Sequence, residues 1–107
     1  MIIYNITVNI EPQIDKEWKQ WASTTFIPYM FDTGIFQDAL LSKVDTPDDI
    51  EGITYSIQFS CISNEMLDAY HKTYFQKTQA LLDTYKNKYV YFDTKLEVLE
   101  KVYAPQS

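Results

Sequence analysis

The sequence predicts an α+β domain with elements in the order β-α-β-β-α-β. Three observations predict it. Apolar side chains alternate strictly over Ile2–Ile10 and again over Ile53–Cys61, two weaker strand patterns lie at about 35–44 and 89–99, and two amphipathic helical stripes separate the strands in pairs. The 107 residues leave room for one domain, 1–103, followed by a tail, 104–107, that is expected to fray.

Each element has a local cause. In the first strand Ile2, Tyr4, Ile6, Val8 and Ile10 alternate with Ile3, Asn5, Thr7 and Asn9, the period of a strand buried on one face. Pro12 suits the first turn of a helix, where a missing N–H costs nothing. Ile14, Trp18, Trp21 and Thr25 form the stripe of that first helix, about 12–31. Pro28 lies inside it, so a kink or break is expected near Thr24–Phe26, and Gly34 supplies a left-handed exit. The second strand places Phe36, Asp38, Leu40, Ser42 and Val44 opposite Ile35, Gln37, Ala39, Leu41 and Lys43, with faces less distinct than those of the first. Residues 45–52 are acidic and turn-rich and read as a loop. Ile53, Tyr55, Ile57, Phe59 and Cys61 mark the third strand, with a buried, inert Cys61 at its end. Ser63 or Asn64 caps a second helix, about 64–86, with stripe Leu67, Tyr70, Tyr74, Leu81 and Tyr85 and a stop at Asn87. The last strand sets Val90, Phe92, Thr94, Leu96 and Val98 against Tyr89, Tyr91, Asp93, Lys95 and Glu97.

This order is the ferredoxin-like split βαβ pattern, one antiparallel sheet with both helices on one face. Two right-handed crossovers impose the strand order 4-1-3-2. The second sheet face carries Asn5, Thr7, Asn9, Thr54, Ser56, Gln58 and Ser60, and by parity Ile3, Ile35, Leu41, Tyr89 and Tyr91 lie on or near it. An antiparallel sheet can leave such a face in water. Apolar area of this amount favours the alternative, two sheets pairing into a closed barrel, so a homodimer is expected, monomerised by Leu41→Lys.

Composition excludes more than it suggests. The net charge is −6 with no Arg anywhere, which disfavours nucleic acid and anionic membrane surfaces as partners. One Cys and one His cannot build a structural zinc site, and two glycines eighteen positions apart cannot make a phosphate-cradling loop, so no metal and no cofactor is expected. Asp45, Asp48, Asp49 and Glu51 lack the calcium-loop spacing and read as a solvated hairpin. No apolar run approaches the length of a membrane span, and Met1–Asn5 lacks the basic start of a secretion signal, which leads to the expectation of a soluble cytoplasmic protein.

The segments Met1–Ile10, Trp18-Lys19-Gln20-Trp21, Ile27-Pro28, Thr33-Gly34-Ile35-Phe36 and Thr54–Phe59 resemble a family of short uncharacterised bacterial proteins, a domain of unknown function, over about residues 1–100. The resemblance implies the dimeric α/β-barrel superfamily. That superfamily includes antibiotic-biosynthesis-type monooxygenases, haem-degrading monooxygenases and muconolactone-isomerase-like proteins, and fold does not choose among them. The haem-degrading relatives pair a first-strand Asn with a second-helix Trp and an iron-ligating His about ten residues later. Asn5 or Asn9 matches the first, but Tyr70 and Ala80 stand at the other two positions, so the iron ligand is missing.

Aromatic residues make up 16 % of the chain. Trp18 and Trp21 share a helix face and are expected to pack on the sheet, with Trp21, nearer Pro28, better placed to face a cleft. The candidate ligand-binding residues are Asn5, Trp21, Tyr55, Tyr70, His71 and Tyr74, around a planar hydrophobic small molecule held between helices and sheet. No catalytic set can be assembled around a single His. Two functions follow: a homodimeric small-ligand-binding or interaction module, or, as the resemblance implies, a small cofactor-independent monooxygenase or isomerase.

Overall fold

Alternation of apolar side chains makes β1 (Ile2–Ile10) and β3 (Ile53–Cys61) the two central strands of the sheet. The computed structural model describes residues 1–106. β1 is followed by a 3-10 turn, Pro12–Ile14, then α1 (Asp15–Trp21), a π-helical turn (Ala22–Phe26) and α2 (Ile27–Asp32). β2 (Phe36–Val44) and β3 form a hairpin. α3 (Asn64–Thr73), α4 (Phe75–Leu82), a 3-10 turn (Asp83–Tyr85) and β4 (Tyr89–Glu97) complete the domain. All pairings are antiparallel and the order is β2-β3-β1-β4, the expected ferredoxin-like 4-1-3-2 arrangement. Ile2, Tyr4, Ile6, Val8 and Ile10 on β1 and Tyr55, Ile57, Phe59 and Cys61 on β3 join Trp18, Phe26, Met30, Phe36, Leu67, Tyr70 and Leu82 in one core.

The first helical arm does not break. Pro28 has no N–H, and its ring would crowd the carbonyl of Thr24 in a regular α-helix. The chain instead widens by a π turn in which Ile27 N–H bonds the Ala22 carbonyl five residues back. Its buried residues are therefore Ile14, Trp18, Ala22, Phe26 and Met30, spaced by four throughout. That spacing drifts round a helix of 3.6 residues per turn, and the wider turn brings it back onto the sheet. Ala22 and Phe26 replace the expected Trp21 and Thr25 on the stripe: Trp21 is half-buried and Thr25 exposed. The second arm bends at Tyr74, which sits at φ −117°. Thr73-Tyr74-Phe75 are poor helix formers, yet the Tyr74 N–H to Tyr70 and Thr78 N–H to Tyr74 bonds carry the ladder through. Its most buried residues are Leu67, Tyr70, Thr78 and Leu82, whereas Tyr74, Leu81 and Tyr85 are only half-buried.

The outer face of the sheet differs from expectation in a way that bears on assembly. Between Phe36 and Asp38 the β2–β3 register shifts by a bulge at Gln37. Phe36 therefore faces the helices opposite Cys61, and beyond the bulge Ala39 and Leu41 do so opposite Phe59 and Ile57. On β4, Tyr89 and Tyr91 lie opposite Ile10 and Val8, again on the helix side. Leu41, Tyr89 and Tyr91 thus pack against the core, and Ile35 is buried. The open face carries instead Ile3, Leu40, Val44, Val90, Phe92 and Leu96 around the polar residues of β1 and β3.

Gly34, at φ +75°, provides the left-handed exit from α2. Asn87, at φ +73°, turns the chain into β4, and Ser63 Oγ caps α3 by accepting from Met66 N–H. The 45–51 loop is largely exposed, as expected. Ala104–Gln106 are exposed without regular structure, and the last residue of the expected frayed tail, Ser107, lies outside the described residues. No helix among the described residues is long and apolar enough to cross a membrane.

Candidate functional site

The six candidate residues do not form one site. Asn5 lies on the open face, where its Oδ1 accepts from Ser56 Oγ at 2.6 Å and its Nδ2 donates to Thr7 Oγ1 at 2.9 Å. The others lie on the helix side, because successive strand residues point to opposite faces. Tyr55 stacks on Trp18 (centroids 5.2 Å apart), and its hydroxyl donates to Asp15 Oδ1 at 2.5 Å. That bond holds the Asp15 carboxyl below its usual pKa, while burial pushes the Tyr55 hydroxyl up to about 12. Trp21 stacks on Phe26 and meets the edge of Tyr85. Tyr70 is fully buried, donates to Thr78 Oγ1 at 2.9 Å, and is pushed up to about 12 by burial. Tyr74 offers its backbone carbonyl to Tyr29 and Thr78 hydroxyls. The space foreseen for a planar ligand between helices and sheet is occupied by Trp18, Phe26, Phe59 and Tyr70, none of which has measurable exposure.

Only His71 reaches a cleft with chemical character. The cleft, about 260 Å³, is lined by Tyr4, Leu67, Asp68, His71, Asp93, Thr94 and Lys95. It exists because α3 covers β1 but not the far half of β4, where Asp93, Lys95 and Glu97 replace the apolar residues of the central strands. The Lys95 ammonium donates to Asn64 Oδ1, and Asn64 Nδ2 donates to Glu97, which ties the start of α3 to β4 beside the cleft. At its floor the Tyr4 hydroxyl donates to Asp93 Oδ2 at 2.6 Å. Burial is the main cause, and the Asp93 carboxylate the second, of a Tyr4 pKa far above that of a free phenol. The edge of His71 meets the Tyr4 ring at 5.7 Å. His71 Nδ1 lies 3.1 Å from the Leu67 carbonyl. A carbonyl only accepts, so Nδ1 carries the proton in this contact, and in the neutral ring Nε2 is the acceptor. A carboxyl group, a phenol and an imidazole around one small cleft are groups that can hydrogen-bond a polar ligand and relay a proton.

Tyr4 and Asp93 were absent from the sequence candidates. They stand 89 positions apart and meet only through the β1–β4 register, in which Asp93 pairs with Ile6. Among the described residues no group of three His, Cys, Asp or Glu side chains is arranged to hold a metal ion.

Fold and topology together define a ferredoxin-like α+β domain. The chain belongs to the DUF4286 family, a domain of unknown function, whose model matches residues 1–99. No curated protein matches the sequence. Among solved structures the chain is similar to HapK from Hahella chejuensis, with 10 % identity, a TM-score of 0.71, and coverage of 99 % of this chain and 100 % of that one. A dimeric ferredoxin-like protein from an uncultured marine organism shows 12 % identity and a TM-score of 0.66 over 97 % and 100 % of the two chains. An antibiotic biosynthesis monooxygenase shows 11 % identity and a TM-score of 0.59 over 94 % and 100 %. At these identities the likeness is one of fold.

Proposed function

We propose that the chain is the subunit of a homodimer in which the open sheet faces of two copies meet, and that the dimer is a small-ligand-binding module. The open face is the observation that carries this. Val90 (69 % exposed), Phe92 (62 %) and Leu40 (61 %) stand on the two edge strands, flanking a central strip of Asn5, Thr7, Asn9, Thr54, Ser56 and Gln58. A second copy on this face removes the apolar edge residues from water, while the polar side chains of the central strip keep partners within their own sheet. Four strands about 4.8 Å apart and nine residues long at about 3.3 Å each span roughly 19 by 30 Å, comparable with the ~800 Å² per partner of a standard interface once side-chain relief is included. The likeness to a dimeric ferredoxin-like protein supports the same reading.

The test uses two substitutions. Phe92→Asp places a charge on the open face and is expected to yield a folded monomer by sedimentation, because Phe92 is exposed and lies outside the core. Leu41→Lys, on the helix side, is expected to unfold the subunit. A Phe92→Asp protein as dimeric as the wild type contradicts the proposal.

A second reading rests on the Tyr4–His71–Asp93 cleft and on the likeness to an antibiotic biosynthesis monooxygenase: the cleft performs proton-transfer or oxygenase chemistry, without a cofactor, on a small electron-rich substrate. Its volume lies below the usual range for drug-sized ligands, which selects a compact substrate such as a small phenol or enol. Amide chemical-shift changes confined to Leu67–His71 and Asp93 on titration with such compounds support it, and an absence of change at millimolar concentration across the set removes it.

A further inference from the structure

We infer that Val98–Tyr103 form an arm that each subunit lays on its partner, an inference that rests on the proposed homodimer. The chain leaves β4 at Glu97 and continues without regular structure through Gln106. Leu99 is 92 % exposed, Val102 78 % and Tyr103 76 %. Three large apolar side chains within five residues, all in water, make a patch of the kind that marks an interaction surface.

The root of the arm identifies what covers it. Val98 N–H bonds the Met1 carbonyl at 3.0 Å, and beyond it no backbone bond holds the arm to its own subunit among the described residues. Val98 continues by parity the outward row Val90, Phe92, Thr94 and Leu96, and Leu96 lies beside Ile3. The arm therefore starts at the rim of the open face itself, and its apolar residues extend that face. A second copy seated on the face brings its own surface to this rim. Twofold symmetry then makes the contact reciprocal, covering both arms with one assembly and leaving no arm free to recruit further copies.

Hydrogen exchange of the Leu99–Tyr103 amides, with sedimentation of the full chain, of the Leu99→Asp/Val102→Asp double variant and of Phe92→Asp, tests the arm separately from the dimer. The expected result is a wild-type dimer with these amides protected at least about tenfold over a free peptide, loss of that protection in Phe92→Asp, and a dimer constant weakened at least about tenfold by the double variant with its melting transition intact. A wild-type dimer whose arm amides exchange as a free peptide, with the double variant dimerising equally well, overturns the arm and leaves the dimer. Arm amides still protected in monomeric Phe92→Asp show an arm packed on its own subunit and overturn the inference. A monomeric wild type overturns the dimer and the arm together.

Discussion

Trp18→Ala tests whether the interior is a closed aromatic core. Trp18 has no measurable exposure and stacks on Tyr55, whose hydroxyl is bound to Asp15 at the start of the same helix. Truncating a fully buried Trp costs about 3–5 kcal/mol. An unfolding entropy of about 2.1 cal/mol/K per residue over 107 residues converts this to a fall in Tm of roughly 13–22 °C. Trp21 is half-buried between Phe26 and Tyr85, so Trp21→Ala should cost about 1–2 kcal/mol, or roughly 4–9 °C. Trp18→Phe is the control. It keeps an aromatic against Tyr55 and removes the indole Nε1–H, which is buried without an acceptor, so it should lose less than half of what Ala loses. Scanning calorimetry at one protomer concentration reads all three, since a dimer's Tm depends on concentration. A fall below about 5 °C for Trp18→Ala, or a larger one for Trp21→Ala, refutes the reasoning and reopens a cleft beneath α1.

Three further outcomes follow from single observations. Thr78→Val removes the acceptor of the buried Tyr70 hydroxyl and should destabilise by about 1–3 kcal/mol, with Thr78→Ser milder, as read from the Tm. Gly52 sits at φ +84°, where a Cβ would come within 2.5 Å of Asn9 Oδ1 and 2.8 Å of the Ile10 carbonyl, whereas a Cβ on Gly34 meets open space; Gly52→Ala should therefore cost more than Gly34→Ala, which carries backbone strain of about 1 kcal/mol alone. Burial raises the pKa of Tyr4, Tyr55, Tyr70 and Tyr89. The folded state then holds protons that the unfolded chain releases from about pH 10, so this stabilisation is complete below pH ~10 and lost as pH rises through the folded values. Tm should stay level on this account to pH ~10 and fall steeply above it, and phenolate absorbance in the native protein should lag that of the unfolded chain.

What the sequence reveals and conceals follows from one-dimensional pattern. β1 and β3 are legible because one face is entirely apolar and the other, Ile3 apart, is polar, so alternation fixes both existence and side. β2 is legible only as a strand. Ile35, Ala39 and Leu41 balance Phe36, Leu40 and Val44, and nothing in such a pattern shows the extra residue at Gln37 that turns Phe36 and Leu41 to the same side. On β4 the alternation sorts residues correctly into two rows, but Tyr89 and Tyr91 are amphipathic enough to fit either side, and the register with Ile10 and Val8 decides. The π turn had a signal, the unbroken four-residue spacing of Ile14, Trp18, Ala22, Phe26 and Met30 across Pro28. His71 was found as the only histidine in the chain. Its cleft neighbours Tyr4 and Asp93 come from opposite ends of the chain, and only sheet pairing unites them.

Sedimentation equilibrium of the wild-type chain from nanomolar to micromolar concentration tests the sheet-face homodimer most directly. The account predicts a species of twice the 12.6 kDa subunit mass, dissociating reversibly on dilution and replaced by the 12.6 kDa species in Phe92→Asp. A single 12.6 kDa species at every concentration, with Val90, Phe92 and Leu96 left in water, contradicts it.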